Sequence, residues 1–240
     1  MKKLIVIFLL LAGNQLFAQP WKTIKGDGHI KKETRSVAGF SSLSSHGPIN
    51  VKIQKGQSDQ IEVEADENLL PYIETKVEDG KLVVQTKKNV NLKTTSKMVV
   101  YVSMTTIKSL QLSGSGDIET TGNFEGAERS QILLSGSGNI HFSSGTFKDV
   151  DFAVSGSGNI VAKGGSANDV SVSVSGSGNI YVSDIAAQNV EVKISGSGNV
   201  KVSADKSLTA KISGSGNVFY KGAATNISSK VAGSGKLIKI

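Results

Sequence analysis

The stretch Val154-Ser-Gly-Ser-Gly-Asn-Ile160 decides the fold, because the same phrase returns along the whole second half of the chain. It is preceded by Leu112-Ser-Gly-Ser-Gly-Asp-Ile118 and Leu134-Ser-Gly-Ser-Gly-Asn-Ile140. It is followed by Val174-Ser-Gly-Ser-Gly-Asn-Ile180, Ile194-Ser-Gly-Ser-Gly-Asn-Val200 and Ile212-Ser-Gly-Ser-Gly-Asn-Val218, and by a decayed copy, Val231-Ala-Gly-Ser-Gly-Lys-Leu237. The steps between copies are 22, 20, 20, 20, 18 and 19 residues. Periods of this size mark arrays in which one small unit stacks on the next. A flexible Gly/Ser linker would not keep an aliphatic residue on both sides of every copy.

The residues between the copies decide between strand and helix. Ile140 and Phe142 alternate with polar neighbours, and so do Val150, Phe152 and Val154. The next units give Ile160 and Ala162, then Val170, Val172 and Val174; then Ile180 and Val182, followed by Val190, Val192 and Ile194. The period is 2 and β-branched residues dominate, which is the pattern of strands. Each unit therefore holds a short strand, a turn, a longer strand and a second turn in about 20 residues. A propeller blade would need about 40 residues, and the Leu/Asn frame of a leucine-rich repeat is absent. A hairpin meander would not require the same residues at every turn. Parallel coils do, because equivalent residues stack about 4.8 Å apart. The expected fold is all-β: a parallel β-helix, a single-chain β-solenoid of about 20 residues per coil.

The phrase itself reads as the corner of that coil. Two glycines permit positive φ, and asparagine also tolerates the left-handed region. Asn139, Asn159, Asn179, Asn199 and Asn217 are expected to form a ladder of stacked amides, flanked by Asp117 and Lys236. The first half is less regular. Phe40 to Ile49 looks like a degenerate copy, and Ile49, Val51 and Ile53 alternate, as do Ile61 and Val63. A helical turn is expected over 66–73, with Asp66 as cap and Pro71 limiting its length. A strand follows the Asp79-Gly80 turn, Thr86 to Lys97 reads as a polar loop, and Val99 to Met104 as a strand. This part is expected to cap the coils, since an open solenoid end exposes unpaired strand edges.

Residues 1–18 do not read as fold. Met1-Lys2-Lys3, an apolar run from Leu4 to Leu11 and a small residue at Ala18 have the pattern of a secretory signal peptide cleaved after Ala18. The run is too short to span a bilayer, which takes about 20 residues. The expected destination is outside the cytoplasm: the periplasm, the outer membrane or the exterior.

Composition excludes several chemistries. The 240 residues include no Cys, which removes disulfides, thiol nucleophiles and Cys-based zinc sites, and the 3 His leave little for a multi-His metal centre. No cofactor motif is present. The formal charge of +7 falls to about +5 without the leader. Asp205 is the last acid, and Lys206, Lys211, Lys221, Lys230, Lys236 and Lys239 follow it. Such an end either keeps strands apart by charge or meets anionic glycan, lipopolysaccharide or a membrane face. Nucleic acid is not an expected partner of an exported protein.

Several of these features together resemble one bacterial family: the leader, the Gly-Phe-Ser-Ser-Leu stretch at 39–43, the Asp-Gly–Lys-Leu-Val-Val segment at 79–84, and the Gly-Asn-Ile/Val units at 138–140, 158–160, 178–180, 198–200 and 216–218. The chain is similar to the auto-transporter adhesin "head GIN" domain family of Bacteroidetes. The resemblance covers roughly residues 37–230. It implies a right-handed parallel β-helix and no enzymatic activity. The domain organisation it suggests is an N-terminal extension at 19–36 and a domain at 37–240, irregular over 37–111 and regular over 112–240.

Three classes of function follow. In the first, the chain is a non-enzymatic binding or adhesion module. If Ile140, Ile160, Ile180, Val200 and Val218 point inward, then His141, Val161, Tyr181, Lys201 and Phe219 point outward on successive coils as a partly aromatic stripe. A cell-surface glycan, an envelope protein or a second copy of the chain would be its partner. In the second, the chain is a polysaccharide lyase or hydrolase, whose carboxylates would be Asp149 and Asp169, in column with Asn189; no His or Arg stands at matching positions, so no catalytic residue is assigned. In the third, it is a self-associating envelope protein, stacking through the strand that ends in Lys-Leu-Ile-Lys-Ile.

Overall fold

The computed structural model describes residues 21–37, 39–57 and 60–240; the leader read over 1–18 lies outside them. The architecture is the all-β parallel solenoid that the repeat predicts, about seven turns of it. Short strands such as Asp117–Thr121, Asn139–Phe142, Asn159–Ala162 and Val218–Lys221 stack as one parallel sheet. Their register sets Ile118 over Ile140, Ile160, Ile180, Val200, Val218 and Leu237. Longer strands, among them Asn123–Gly136, Ser144–Gly156, Gly165–Gly176 and Ile185–Gly196, stack as the second sheet. There Leu112, Leu134, Val154, Val174, Ile194, Ile212 and Val231 share one column.

Three of the coils have one more corner than the sequence pattern suggests. In Ser144–Gly156 the buried positions are Gly145 and Phe147, then Val150, Phe152 and Val154, so the inward side switches from odd to even across exposed Lys148. Alternation in a straight strand cannot switch, so the chain turns there. The same switch occurs between Ala167 and Val170 and between Ala187 and Val190. In these coils three straight segments therefore enclose the core. Phe124, Phe142 and Phe147 meet inside it, with ring centroids 6.0 and 5.7 Å apart. Their burial and tilted contacts are the kind that dominate core energetics.

The Ser-Gly-Ser-Gly corner uses its two glycines for different reasons. Gly156 has φ +131°, and a Cβ there would lie 2.4 Å from the Gly136 carbonyl oxygen. Gly158 is absent from the positive-φ positions, but a Cβ on it would lie 2.0 Å from the Gly138 oxygen. One needs the left-handed half of the map; the other needs room for the backbone of the coil beneath. The N–H groups of Ser157 and Gly158 both donate to the Gly136 carbonyl, at 3.0 and 3.1 Å. The corner is thus backbone seated on backbone, repeated coil after coil. The left-handed conformation expected of the ladder asparagines does not occur; Asp79 and Asn89 are the described non-glycine residues with positive φ. Asn139, Asn159 and Asn179 instead open the short strands, where extended backbone points their amides along the axis.

The N-terminal third closes the stack by reversing strand direction. Ser42–Gly47 and Asn50–Lys55 make the first coil, beneath Thr106–Gly114 and Asp117–Thr121. Lys81–Thr86 and Val99–Met104 continue in parallel below them. Then Ile73–Glu78 pairs antiparallel with Lys81–Thr86, Gln60–Asp66 antiparallel with Val99–Met104, and Ile30–Ser36 antiparallel with Gln60–Asp66. The outermost strand reads Ile-Lys-Lys-Glu-Thr-Arg-Ser, a charged edge that discourages further pairing.

Two local expectations need correction. The loop read over 86–97 contains the strand Val90–Lys93, paired in parallel with Lys22–Lys25; partners from a distant segment are invisible to local pattern. The helical turn exists as a 3-10 turn, Glu67–Tyr72, but Asp66 makes no side-chain cap bond to it. Its buried carboxylate accepts instead from the Gly28 N–H at 2.9 Å, the Thr95 N–H at 3.1 Å and the Thr95 hydroxyl at 2.5 Å. Burial alone would push this carboxyl up; the Thr95 and Gly28 donors outweigh it and hold it below the ordinary value.

Candidate binding face

Inward Ile and Val on the short-strand sheet force the intervening residues outward. The register then sets His141 beside Val161, Val161 beside Tyr181, Tyr181 beside Lys201 and Lys201 beside Phe219. Rungs lie about 4.8 Å apart, so five side chains share one straight column. The Lys201 ammonium sits 5.2 Å from the Tyr181 ring centroid and 5.9 Å from that of Phe219. A cation between two half-exposed rings is held by their quadrupoles and remains open to water.

The column runs further than the repeat alone indicates. Glu119 lies beside His141, Lys52 beside Glu119, and Tyr101 beside Lys52. Here a second aromatic–cationic group forms: Lys32 and Lys52 lie 4.5 and 5.9 Å from the Tyr101 centroid. The Tyr101 hydroxyl donates to Glu64 at 3.2 Å. Burial first, and then the Glu64 charge, raise its phenol pKa. Sequence reasoning missed these residues because Lys52 and Tyr101 lie on neighbouring rungs in inverted chain order. The one available signal was the alternation around Val51 and Val100.

Beside the stripe runs the amide ladder. The Asn139 amide donates to Asp117 at 3.0 Å, Asn159 to Asn139 at 3.0 Å and Asn179 to Asn159 at 2.8 Å. Asn199 donates to Asn179 at 3.3 Å and Asn217 to Asn199 at 3.1 Å. The Lys236 N–H closes the row on the Asn217 carbonyl oxygen at 3.1 Å. With both ends of each amide engaged, the ladder braces the coils along this edge.

The carboxylate column looks different from its sequence reading. Asp149, Asp169 and Asn189 do stack. However, Arg129 occupies the matching rung beside Asp149, and its guanidinium grips Asp151 through two bonds of 2.8 and 2.9 Å. Arg129 precedes Asp149 by the same 20-residue step that relates Asp149 to Asp169, so the column begins one coil earlier than the carboxylates suggest. The Asn189 amide donates to Asp169 at 2.9 Å, and Ser207 donates to Asn189 at 2.8 Å. These groups satisfy one another. Among the described residues no cluster of three or more His, Asp or Glu is arranged to hold a metal ion. No described helix is long and apolar enough to cross a membrane.

A rigid parallel solenoid with a straight outward stripe defines a class, the repeat scaffold that presents a long regular face. Within that class the chain belongs to the family described as "Putative auto-transporter adhesin, head GIN domain", whose model matches residues 39–224. Similar solved structures include a "putative adhesin" from Bacteroides fragilis, 21% identical, covering 90% of this chain and 100% of that one, with TM-score 0.82. A "putative lipid binding protein" from Parabacteroides distasonis is 27% identical over 91% of this chain and 100% of that one, with TM-score 0.78. A "putative adhesin" from Parabacteroides merdae is 24% identical over 91% and 99%, with TM-score 0.72. None of the curated proteins matches the chain. The family and these neighbours are described as binding proteins, not as enzymes.

Proposed function

We propose that this chain is an exported, non-enzymatic adhesion-type module that holds an extended cell-envelope glycan along His141, Val161, Tyr181, Lys201 and Phe219. The observation that carries the reading is the alternation of ring, ammonium and ring at Tyr181, Lys201 and Phe219 on consecutive rungs. Sugar rings stack their C–H faces on aromatic side chains, and an ammonium between two rings hydrogen-bonds hydroxyls or pairs with an acidic sugar. A glycan array probed with the purified protein tests it. A bound class of glycan should be lost in the Tyr181→Ala/Phe219→Ala double variant; undiminished binding by that variant would remove the reading. Export rests on the leader pattern of residues 1–18. N-terminal sequencing of protein from the cell envelope should begin at Gln19, and a first residue of Met1 would contradict it. A self-associating reading draws on Asn226–Gly233, which is exposed along its length. Light scattering separates a monomer from a stack.

A further inference from the structure

The outer surface of the long-strand sheet carries a second feature, away from the stripe. Between two columns of outward side chains runs a groove parallel to the solenoid axis. One wall is the serine of each corner, from Ser113 through Ser213. The other wall changes character along its length. It begins with Ser44 and Gln111, passes Leu133, Ala153 and Ser173, and ends in three consecutive lysines, Lys193, Lys211 and Lys230. Two hollows of about 430 and 470 Å³ lie along it and share Ser173 and Ser175, so the groove is continuous.

Chemistry divides the groove into a tail half and a head half. Leu133 and Ala153 offer carbon and no charge. At the other end the ammonium groups stand about 4.8 Å apart by rung spacing. One carboxylate serves two of them: Glu191 lies 3.0 Å from Lys193 and 3.5 Å from Lys211. Lys230 has no ion-pair partner among the described residues. Three positive charges against one negative leave that end electropositive. The lysine stems extend the apolar wall while their heads remain in water.

We propose that this groove binds a single-chain anionic amphiphile, its acyl tail along Leu133, Ala153 and Ser173 and its acidic head on Lys193, Lys211 and Lys230. Charge complementarity selects this occupant over the others. A second copy of the chain would bring its lysines against these or, run antiparallel, over Leu133 and Ala153, where nothing pairs with their charge. A polyanionic polysaccharide would have to strip water from its charges over Leu133 and Ala153, at a cost nothing there offsets. The site is independent of the glycan stripe, on a different sheet, and stands or falls without it.

Calorimetric titration of the purified protein with sodium hexadecanoate, kept below its micelle concentration, tests the proposal. Saturable binding of one hexadecanoate per chain is expected, weakening as salt is raised. Lys193→Gln/Lys211→Gln/Lys230→Gln should weaken it at least about tenfold, by loss of the head contacts. Ala153→Glu should abolish it by placing a charge in the tail half. Tyr181→Ala/Phe219→Ala should leave it unchanged. Hexadecanol, with the same tail and no charge, should bind hexadecanoate's site more weakly by a similar factor. All these substitutions lie on outward positions, so unchanged circular dichroism separates lost binding from lost fold. The proposal is overturned by absent saturable binding, by equal affinity in the lysine triple variant, or by tighter binding of dextran sulfate with no effect of Ala153→Glu. Concentration-dependent dimers that Ala153→Glu dissolves would assign the groove to a second copy instead.

Discussion

The regular coils and the N-terminal third bury their apolar side chains in one continuous core, yet they hold their shape by different means. From Thr106 to Gly233 every coil repeats its neighbour, and the stabilising contacts are generic: backbone over backbone at the glycine corner, aliphatic over aliphatic inside, amide over amide along the edge. From Ile30 to Met104 the repeated contacts survive only where the first coil meets the regular ones, as at the Gly47 carbonyl, which accepts from Ser115 and Gly116, and at Asn50 under Asp117. Single polar side chains fix the reversals. Asp66 ties the segments around Gly28 and Thr95 together, and Arg35 donates to the carbonyls of Ile73 and Leu70 at 2.6 and 2.9 Å. Repetition spreads the load over many equivalent residues, whereas a cap concentrates it in a few.

Glycine substitutions separate the two regions most sharply. Gly156→Ala puts a Cβ 2.4 Å from a backbone oxygen at φ +131°, with coils on both sides preventing retreat. A loss of about 4 kcal/mol or more in urea unfolding is expected, from backbone strain and overlap together. Gly28 has φ +82° and nothing within 4 Å of the point a methyl group would occupy, so Gly28→Ala should cost only about 1 kcal/mol. Equal costs at the two sites would break the distinction.

Asp66→Ala should come next, at about 1–3 kcal/mol, because it removes the charged acceptor of three hydrogen bonds, from the Gly28 N–H, the Thr95 N–H and the Thr95 hydroxyl. Its pH dependence has a definite sign. The folded carboxyl lies below its ordinary 3.8, so its contribution is complete above that value and is lost as pH falls through the lower folded pKa. The gap between wild type and Asp66→Ala in urea melts should therefore be wide at neutral pH and close toward strong acid. A gap that widened on acidification would contradict the assignment.

Asn179→Ala removes a donor to Asn159 and the acceptor for Asn199 in the middle of the ladder. About 1 kcal/mol is expected, near the net worth of a protein hydrogen bond, because neighbouring rungs still stack. A null effect would show that the amides only fill space. The smallest effect belongs to Lys148, which pairs with Glu128 on an exposed corner. Lys148→Ala should fall within about 0.5 kcal/mol in the same melts.

How far each region could be read from sequence follows from the same contrast. The coils were legible because Ile140, Ile160 and Ile180 announce a period of 20 that only stacking explains. The outward stripe followed from alternation alone. The extra corner at Lys148 stayed hidden, because its signal is a change of parity with no glycine or proline to mark it. Arg129, 20 residues before Asp149, lay within reach of the same period, whereas the Asp66–Thr95 and Lys52–Tyr101 neighbours were concealed by long-range pairing. Local patterns carry the strands; they do not carry which distant strand lies alongside.

The account depends on coils that run parallel, with equivalent residues one rung apart. The chain has no native cysteine, so paired substitutions report this without interference. Val161 and Tyr181 are register partners on adjacent rungs, and Lys201 lies one rung beyond Tyr181. At about 4.8 Å between Cα atoms, Val161→Cys/Tyr181→Cys is within disulfide reach, whereas Val161→Cys/Lys201→Cys, at about twice that, is not. Under mild oxidation the first pair should cross-link nearly completely within single chains and the second should not. Efficient cross-linking of the second pair with none in the first would contradict the stacked coil and everything built on it.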